Sequence, residues 1–198
     1  MHSSNRYFII NKPYNMVSQF VSTHEVRLLG DLDFDFPEGT HAVGRLDNHS
    51  EGLLILTTNK KLTRLLFSSA TAHERTYLVQ VSNIVSAENL ESLRKGVQIK
   101  IKTGGIYTTD PCKVTVVEDP GKLYALGERL TAWPPFTWIL MTITEGKYHQ
   151  VRKMIGAIRH RCKRLIRVSI EDLQPGDLEP GGVKEIGEAE LFKLLKIA

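Results

Sequence analysis

Cysteine is nearly absent. Cys112 and Cys162 are the only two in 198 residues, without CxxC or Cys/His ligand spacing, so neither a zinc site nor a disulfide framework is indicated and reduced thiols are expected. Long apolar runs are missing too. Before Asn11-Lys12-Pro13 the first residues hold one short apolar run, Tyr7 to Ile10, and no stretch elsewhere approaches a membrane span. No export signal or membrane anchor is therefore expected, and a cytoplasmic location follows. The chain shows no linker-like tract, internal repeat, low-complexity segment or shift of composition. Its length suits one sizeable core and is short for two ordinary ones, so a single domain over residues 1–198, with room for two lobes, is the expectation. The last absence is local. Between Gly146 and Ile170 there is no Asp or Glu, while Lys147, Arg152, Lys153, Arg159, Arg161, Lys163, Arg164 and Arg167 all fall there. The formal net charge of +4 is modest, but this distribution suits a polyanion partner as well as it suits a solvated basic face.

Hydrophobic residues make up 41% and charged residues 24% of the chain, the balance of a globular protein. Segments rich in Val, Ile, Tyr and Thr predict strands at Tyr7 to Asn11, His41 to Leu46, Leu53 to Thr58, Thr76 to Val81, Val97 to Ile101, Lys113 to Glu118, Trp138 to Thr144 and Arg164 to Ile170. Helical patterns cover Lys60 to Phe67, Ala87 to Lys95, His149 to Ile158 and Glu188 to Lys196, with Ser86 and Gly96 bracketing the second. The fold class read from this is α+β, a mixed and mostly antiparallel sheet of about eight strands flanked by helices and loops, because strands and helices do not alternate as a doubly wound fold requires. Ser22 to Thr40 and Asp119 to Thr137, the latter with Trp133-Pro134-Pro135, read as long loops able to grip a large ligand.

The segment HAVGRLDNHSEGLLILTTN places Gly44-Arg45-Leu46-Asp47 after one strand and Glu51-Gly52 before the next. Asp47 should sit at a hairpin-like corner, which suits a catalytic carboxylate and an ordinary polar turn alike. On a helix from His149 to Ile158, Val151, Met154, Ile155 and Ile158 share one face, and His149, Arg152, Gly156 and Arg159 fall opposite, with Gly156 leaving room for a backbone or a base.

GRLDxxSEGLLxLTxN is similar to the catalytic motif of the ribosomal-RNA pseudouridine synthases of the RsuA/RluE type. Further segments resemble that family in its own order: Asn11-Lys12-Pro13, Arg75-Thr76-Tyr77-Leu78-Val79, Glu145-Gly146-Lys147-Tyr148-His149-Gln150-Val151-Arg152-Lys153-Met154, and Arg164-Leu165-Ile166-Arg167-Val168. Two positions depart. Arg75 stands where the family usually has Lys, and Glu171 where a Gly commonly follows the last motif. No S4-like RNA-binding domain is recognisable, as in the single-domain branch that resembles enzymes of large-subunit ribosomal RNA.

The resemblance implies isomerisation of a specific uridine in RNA. The N1 to C1′ bond breaks, the uracil turns, and C5 rejoins C1′, with no redox change, energy input, metal or cofactor. Asp47 is implied as the essential carboxylate, attacking C1′ or removing the 2′ proton; the sequence leaves both routes open. Either route needs it ionised, and burial would favour the protonated form without a cation beside it. Arg152 is the candidate for that cation. Tyr77 is implied to stack on the flipped uracil and to assist at C5. Leu165 resembles an apolar residue of the uracil pocket, though an ordinary core leucine fits the sequence as well. Arg45, Lys12, His149, Lys147, Lys153, Arg159, Arg164 and Arg167 are candidates for contacts to RNA. His24, His41, His73 and His160 show no metal-ligand pattern. The expected partner is ribosomal RNA, with the chain a monomer; the same chemistry on transfer RNA and an inactive RNA-binding protein are the alternatives.

Overall fold

A computed structural model describes residues 5–67, 71–127 and 135–197. In chain order these form β1 (Tyr7–Lys12), β2 (His41–Val43), β3 (Glu51–Thr57), α1 (Leu62–Phe67), β4 (Arg75–Ser82), α2 (Ala87–Lys95), β5 (Gln98–Lys100), β6 (Ile106–Thr108), β7 (Lys113–Val116), β8 (Phe136–Ile143), α3 (Gln150–Ala157), β9 (Cys162–Ile170), β10 (Val183–Ile186) and α4 (Glu188–Leu195). Two compact units emerge, Met1–His73 with Arg167–Ala198, and Glu74–Ile166. β9 begins in the second and ends in the first.

In the first unit β1 lies between β10 and β3, and β2 also pairs β3, all antiparallel. β1 and β3 are buried along their whole length, which is why Tyr-Phe-Ile-Ile and Leu-Leu-Ile-Leu read as continuous apolar runs rather than alternating ones. Alternate side chains go to opposite faces. Tyr7, Ile9, Leu53 and Ile55 join Leu62 and Leu66 of α1 and Leu191 and Leu195 of α4 in one core, while Phe8 turns to the other face and meets the edges of Phe34 and Phe36.

The second unit orders β9, β4, β8 and β7, with β5 and β6 as a separate hairpin. β4 and β8 pair antiparallel over eight residues, Arg75 opposite Ile143 and Tyr77 opposite Met141. Val79 and Val81 pack with Leu90 and Leu93 of α2 and with Val151, Met154, Ile155 and Ile158 of α3. Ser86 caps α2 by accepting from the Asn89 N–H at 3.2 Å. Gly96 ends that helix at φ 95°, and any Cβ there would lie 2.1 Å from the Thr109 carbonyl.

The α+β reading holds: among the described residues eight strands belong to the main sheet and there are four α-helices. β6 and β10 are absent from the sequence expectation. Ile106-Tyr107-Thr108 is a solvent-facing strand, and Val183-Lys184-Glu185-Ile186 is an edge strand whose middle residues are charged and exposed, so neither carries a strong apolar pattern. Ser22 to Thr40 is irregular apart from a short 3-10 turn at Leu29–Asp31 and a bridge from Met16 to Arg27. Asp119 to Thr137 holds a 3-10 turn at Pro120–Lys122 and the start of β8; Trp133 and Pro134 lie outside the described residues.

Candidate active site

Asp47 lies in the connection between antiparallel β2 and β3, where Val43 pairs with Ile55. It is half-buried, at the corner the sequence predicts. The backbone around it is fixed from several sides. Leu46 donates its N–H to Ser18 Oγ at 2.9 Å, and its carbonyl accepts from the same hydroxyl at 2.8 Å. Ser50 N–H donates to the Asp47 carbonyl at 3.0 Å, and Met16 N–H to the Asn48 carbonyl at 3.3 Å. Tyr14 stacks on His49 with ring centroids 5.2 Å apart. Gly44 and Gly52, the two glycines of the motif, both have positive φ, 70° and 97°. A Cβ on Gly52 would lie 2.3 Å from the Arg167 carbonyl oxygen, so only glycine fits where β3 begins.

Lys12 belongs to the same construction. Its ammonium is fully enclosed and donates to the carbonyls of Met16 at 2.6 Å and Pro13 at 2.8 Å, with the Asn48 carbonyl farther off at 3.5 Å. Burial lowers this ammonium to about 7, against the pull of Glu51 and Asp47. Lys12, expected at the RNA, is placed inside the first unit, where it holds the backbone of the Asp47 loop. Arg45 is exposed, its guanidinium donating to Gln19 Oε1 at 3.0 Å.

In the second unit Tyr77 is half-buried and packs on the same core as α3, and Leu165 is a buried member of that core. α3 starts one residue later than predicted, because His149 adopts the left-handed conformation at φ 55° and serves as its N-cap. Val151, Met154, Ile155 and Ile158 are buried as the helical period requires; Arg152 is half-buried, with Nη1 3.8 Å from Cys162 Sγ. A Cβ on Gly156 would meet nothing within 4 Å, so the open space expected there exists. Residues ahead of α3 are tied by a network that sequence reading missed. Glu145 accepts from Tyr107 Oη at 2.5 Å, Asp110 N–H at 2.9 Å and Gln150 Nε2 at 2.6 Å, and Gln150 Oε1 accepts from Lys147 N–H at 2.8 Å. The bond to Glu145 pushes the Tyr107 phenol up to about 12.

The basic stretch divides by depth. Lys147, Arg159, Arg161 and Lys163 are exposed and Lys153 is half-buried. Arg164 and Arg167 are core cations, 3% and 2% exposed, donating to the carbonyls of Leu126 at 2.9 Å and Leu53 at 2.8 Å. As with Lys12, these two, expected at the RNA, are placed on backbone carbonyls inside the fold. Arg75 is also buried, and its guanidinium donates to the Thr144 carbonyl. Glu171 adopts φ 48°, the conformation a glycine would take without strain. Its carboxylate lies 3.0 Å from Lys196 and 3.4 Å from the buried His73 ring.

Residues 6–157 match the family model for RNA pseudouridylate synthase. The chain belongs to the RNA pseudouridylate synthase family. It is 38% identical over 187 residues, 91% of this chain and 74% of the relative, to ribosomal large subunit pseudouridine synthase E of Vibrio parahaemolyticus. It is 34% identical over 174 residues, 87% of this chain and 89% of the relative, to the enzyme of the same name in Xanthomonas axonopodis pv. citri. A solved pseudouridylate synthase superposes with a TM-score of 0.78 at 27% identity, over 96% of this chain and 74% of that one. Synthase chemistry and the pseudouridine-synthase fold are thus properties of this chain. The family match spans Asp47, Tyr77 and Arg152, and among the described residues no helix is long and apolar enough to cross a membrane.

Proposed function

We propose that this chain isomerises a specific uridine of large-subunit ribosomal RNA to pseudouridine, in the cytoplasm and as a single catalytic domain acting as a monomer. The substrate reading is supported by the names of the Vibrio and Xanthomonas relatives, which align over most of the chain. Asp47 is the proposed catalytic carboxylate. The observation that carries this is the corner itself, a half-buried Asp in a connection whose backbone is held by Ser18 and Lys12. A reacting group gains most when its position costs no reorganisation.

Tyr77 as the wall that stacks on the flipped uracil and Arg152 as the cation favouring ionised Asp47 rest on their motifs. So does Leu165 as a lining residue. Arg45, His149, Lys147, Lys153 and Arg159 are proposed to belong to the RNA-binding surface. The chemistry balances without an outside reagent, since the C5 proton leaves as the base is rejoined and a proton returns to N1.

The test is a map of pseudouridines in ribosomal and transfer RNA from cells with and without the protein. One uridine of large-subunit RNA should lose its modification and regain it on complementation. Loss confined to transfer RNA would move the substrate, and an unchanged map with bound ribosomal RNA would favour a binding protein without catalysis.

A further inference from the structure

Tyr148 is a large aromatic side chain 56% exposed, immediately ahead of α3. Its ring stacks on His149 at 3.8 Å between centroids and 18° between planes. Two ammonium groups lie over the ring, Lys153 Nζ at 5.2 Å and Lys102 Nζ at 5.9 Å from its centroid, and a third, Lys147, sits 4.6 Å over the Tyr107 ring. These residues come from two elements, the β5–β6 hairpin and the start of α3, and the Glu145 network with Tyr107, Asp110 and Gln150 ties them. An isolated exposed aromatic is ordinary. A stacked pair with two cations over its ring on a braced turn is not.

Binding an unpaired nucleotide needs this combination: a ring on which a base can lie, and positive groups for the adjoining phosphates. His149 covers one face of Tyr148 and fixes the ring. Lysines supply phosphate contacts without base preference, as point charges on flexible stems. A duplex keeps its base faces inside its own stack and cannot offer one to Tyr148.

We propose that the Tyr148–His149 stack, with Lys102, Lys147 and Lys153, is a stacking site for an unpaired nucleotide of the RNA substrate other than the target uridine. This rests on the reading of the chain as an RNA-modifying enzyme and adds a requirement, that the substrate present a second unstacked base.

The test compares the full chain with Tyr148→Ala, Tyr148→Phe and Lys102→Ala, each checked for an unchanged melting transition. Fluorescence anisotropy is read with a labelled single-stranded ten-nucleotide RNA and with a blunt, fully paired RNA duplex of equal phosphate count. Tyr148→Ala should weaken the single strand about tenfold and leave the duplex unchanged, a difference of about 1.4 kcal/mol. Tyr148→Phe should bind as the parent does. Lys102→Ala should lower affinity less and flatten its salt dependence. A 5-iodouridine in the single strand should crosslink to Tyr148. Single-strand affinity unchanged in Tyr148→Ala, equal loss on both probes, or a parent that binds no single strand would each overturn the site. Failure of the parent to release tritium from 5-tritiated uridine in ribosomal RNA would instead sink the functional reading.

Discussion

Around Asp47 the backbone is held by Lys12 and Ser18 from inside the fold, and the Lys12 ammonium that does part of the holding is sealed from solvent. Around Tyr148 the Glu145 and Gln150 side chains hold the Tyr107 phenol and the backbone N–H groups of Asp110 and Lys147, and the lysines brought together there remain at or near the surface. The difference follows from what each region must do. A carboxylate that reacts must be placed to a fraction of an ångström, which a backbone clamp achieves at little entropic cost. Surface cations that grip a polyanion must stay hydrated until it arrives and can tolerate looser placement.

The sharpest way to break this comparison is Asp47→Asn, which keeps the shape and removes the charge. Turnover should fall by several powers of ten, each worth roughly 1.4 kcal/mol of barrier, because the reacting carboxylate is lost. Stability should change by no more than about 1 kcal/mol, since Asp47 is half-buried in a loop rather than in a core. Tritium release from 5-tritiated uridine, run beside thermal melting and RNA binding, reads all three. Release near the parent rate would remove Asp47 from the chemistry. Collapse of stability would make it part of the clamp.

Lys12→Met probes the clamp directly. It leaves the carbonyls of Met16, Pro13 and Asn48 without their shared donor, a loss of about 1 to 3 kcal/mol. The pH dependence has a definite sign. In the folded chain this ammonium titrates at about 7 rather than 10.5, so between those values the unfolded chain binds the extra proton. Stability from this group therefore rises with pH across that window, with a slope of up to about 1.4 kcal/mol per pH unit. Below it the burial penalty is constant. Subtracting the Lys12→Met curve from the parent curve in denaturant titrations at pH 6 to 10 isolates the term, and a flat difference would mean that Lys12 is not desolvated.

The strands and helices with strong apolar periodicity were legible in the sequence because they line the two cores: Val151, Met154, Ile155 and Ile158 of α3 follow the helical period, and Tyr7 to Ile10 read as a buried strand. The Asp47 corner was legible from the spacing of two strands. Depth was not. Lys12, Arg164 and Arg167 look like RNA contacts in the one-dimensional chain, since charge reveals nothing of whether a backbone carbonyl waits within reach. The Glu145 network joins residues 38 positions apart, Tyr107 and Glu145, so no local pattern announces it. Glu171 showed only as a departure from a family glycine; its positive φ supplies the reason for that glycine.

The finest comparison lies within the basic stretch, between cations that face water and cations that do not. Replacing exposed Arg159, Arg161 and Lys163 by glutamine should leave melting within about 0.5 kcal/mol of the parent. Each phosphate contact so removed should lower the log–log salt slope of RNA binding by about 0.7 to 0.9. Arg164→Gln should do the reverse: its guanidinium is 3% exposed and donates to Leu126, so stability falls while the salt slope of the remaining folded protein stays put. The measurement is RNA affinity by anisotropy from 50 to 200 mM salt, with melting of each variant alongside. An unchanged slope in the triple variant would place the RNA on another face. A reduced slope in Arg164→Gln would show that a cation buried in the free protein reaches phosphate when RNA binds, and the division of this segment by depth would then hold only for the unbound state.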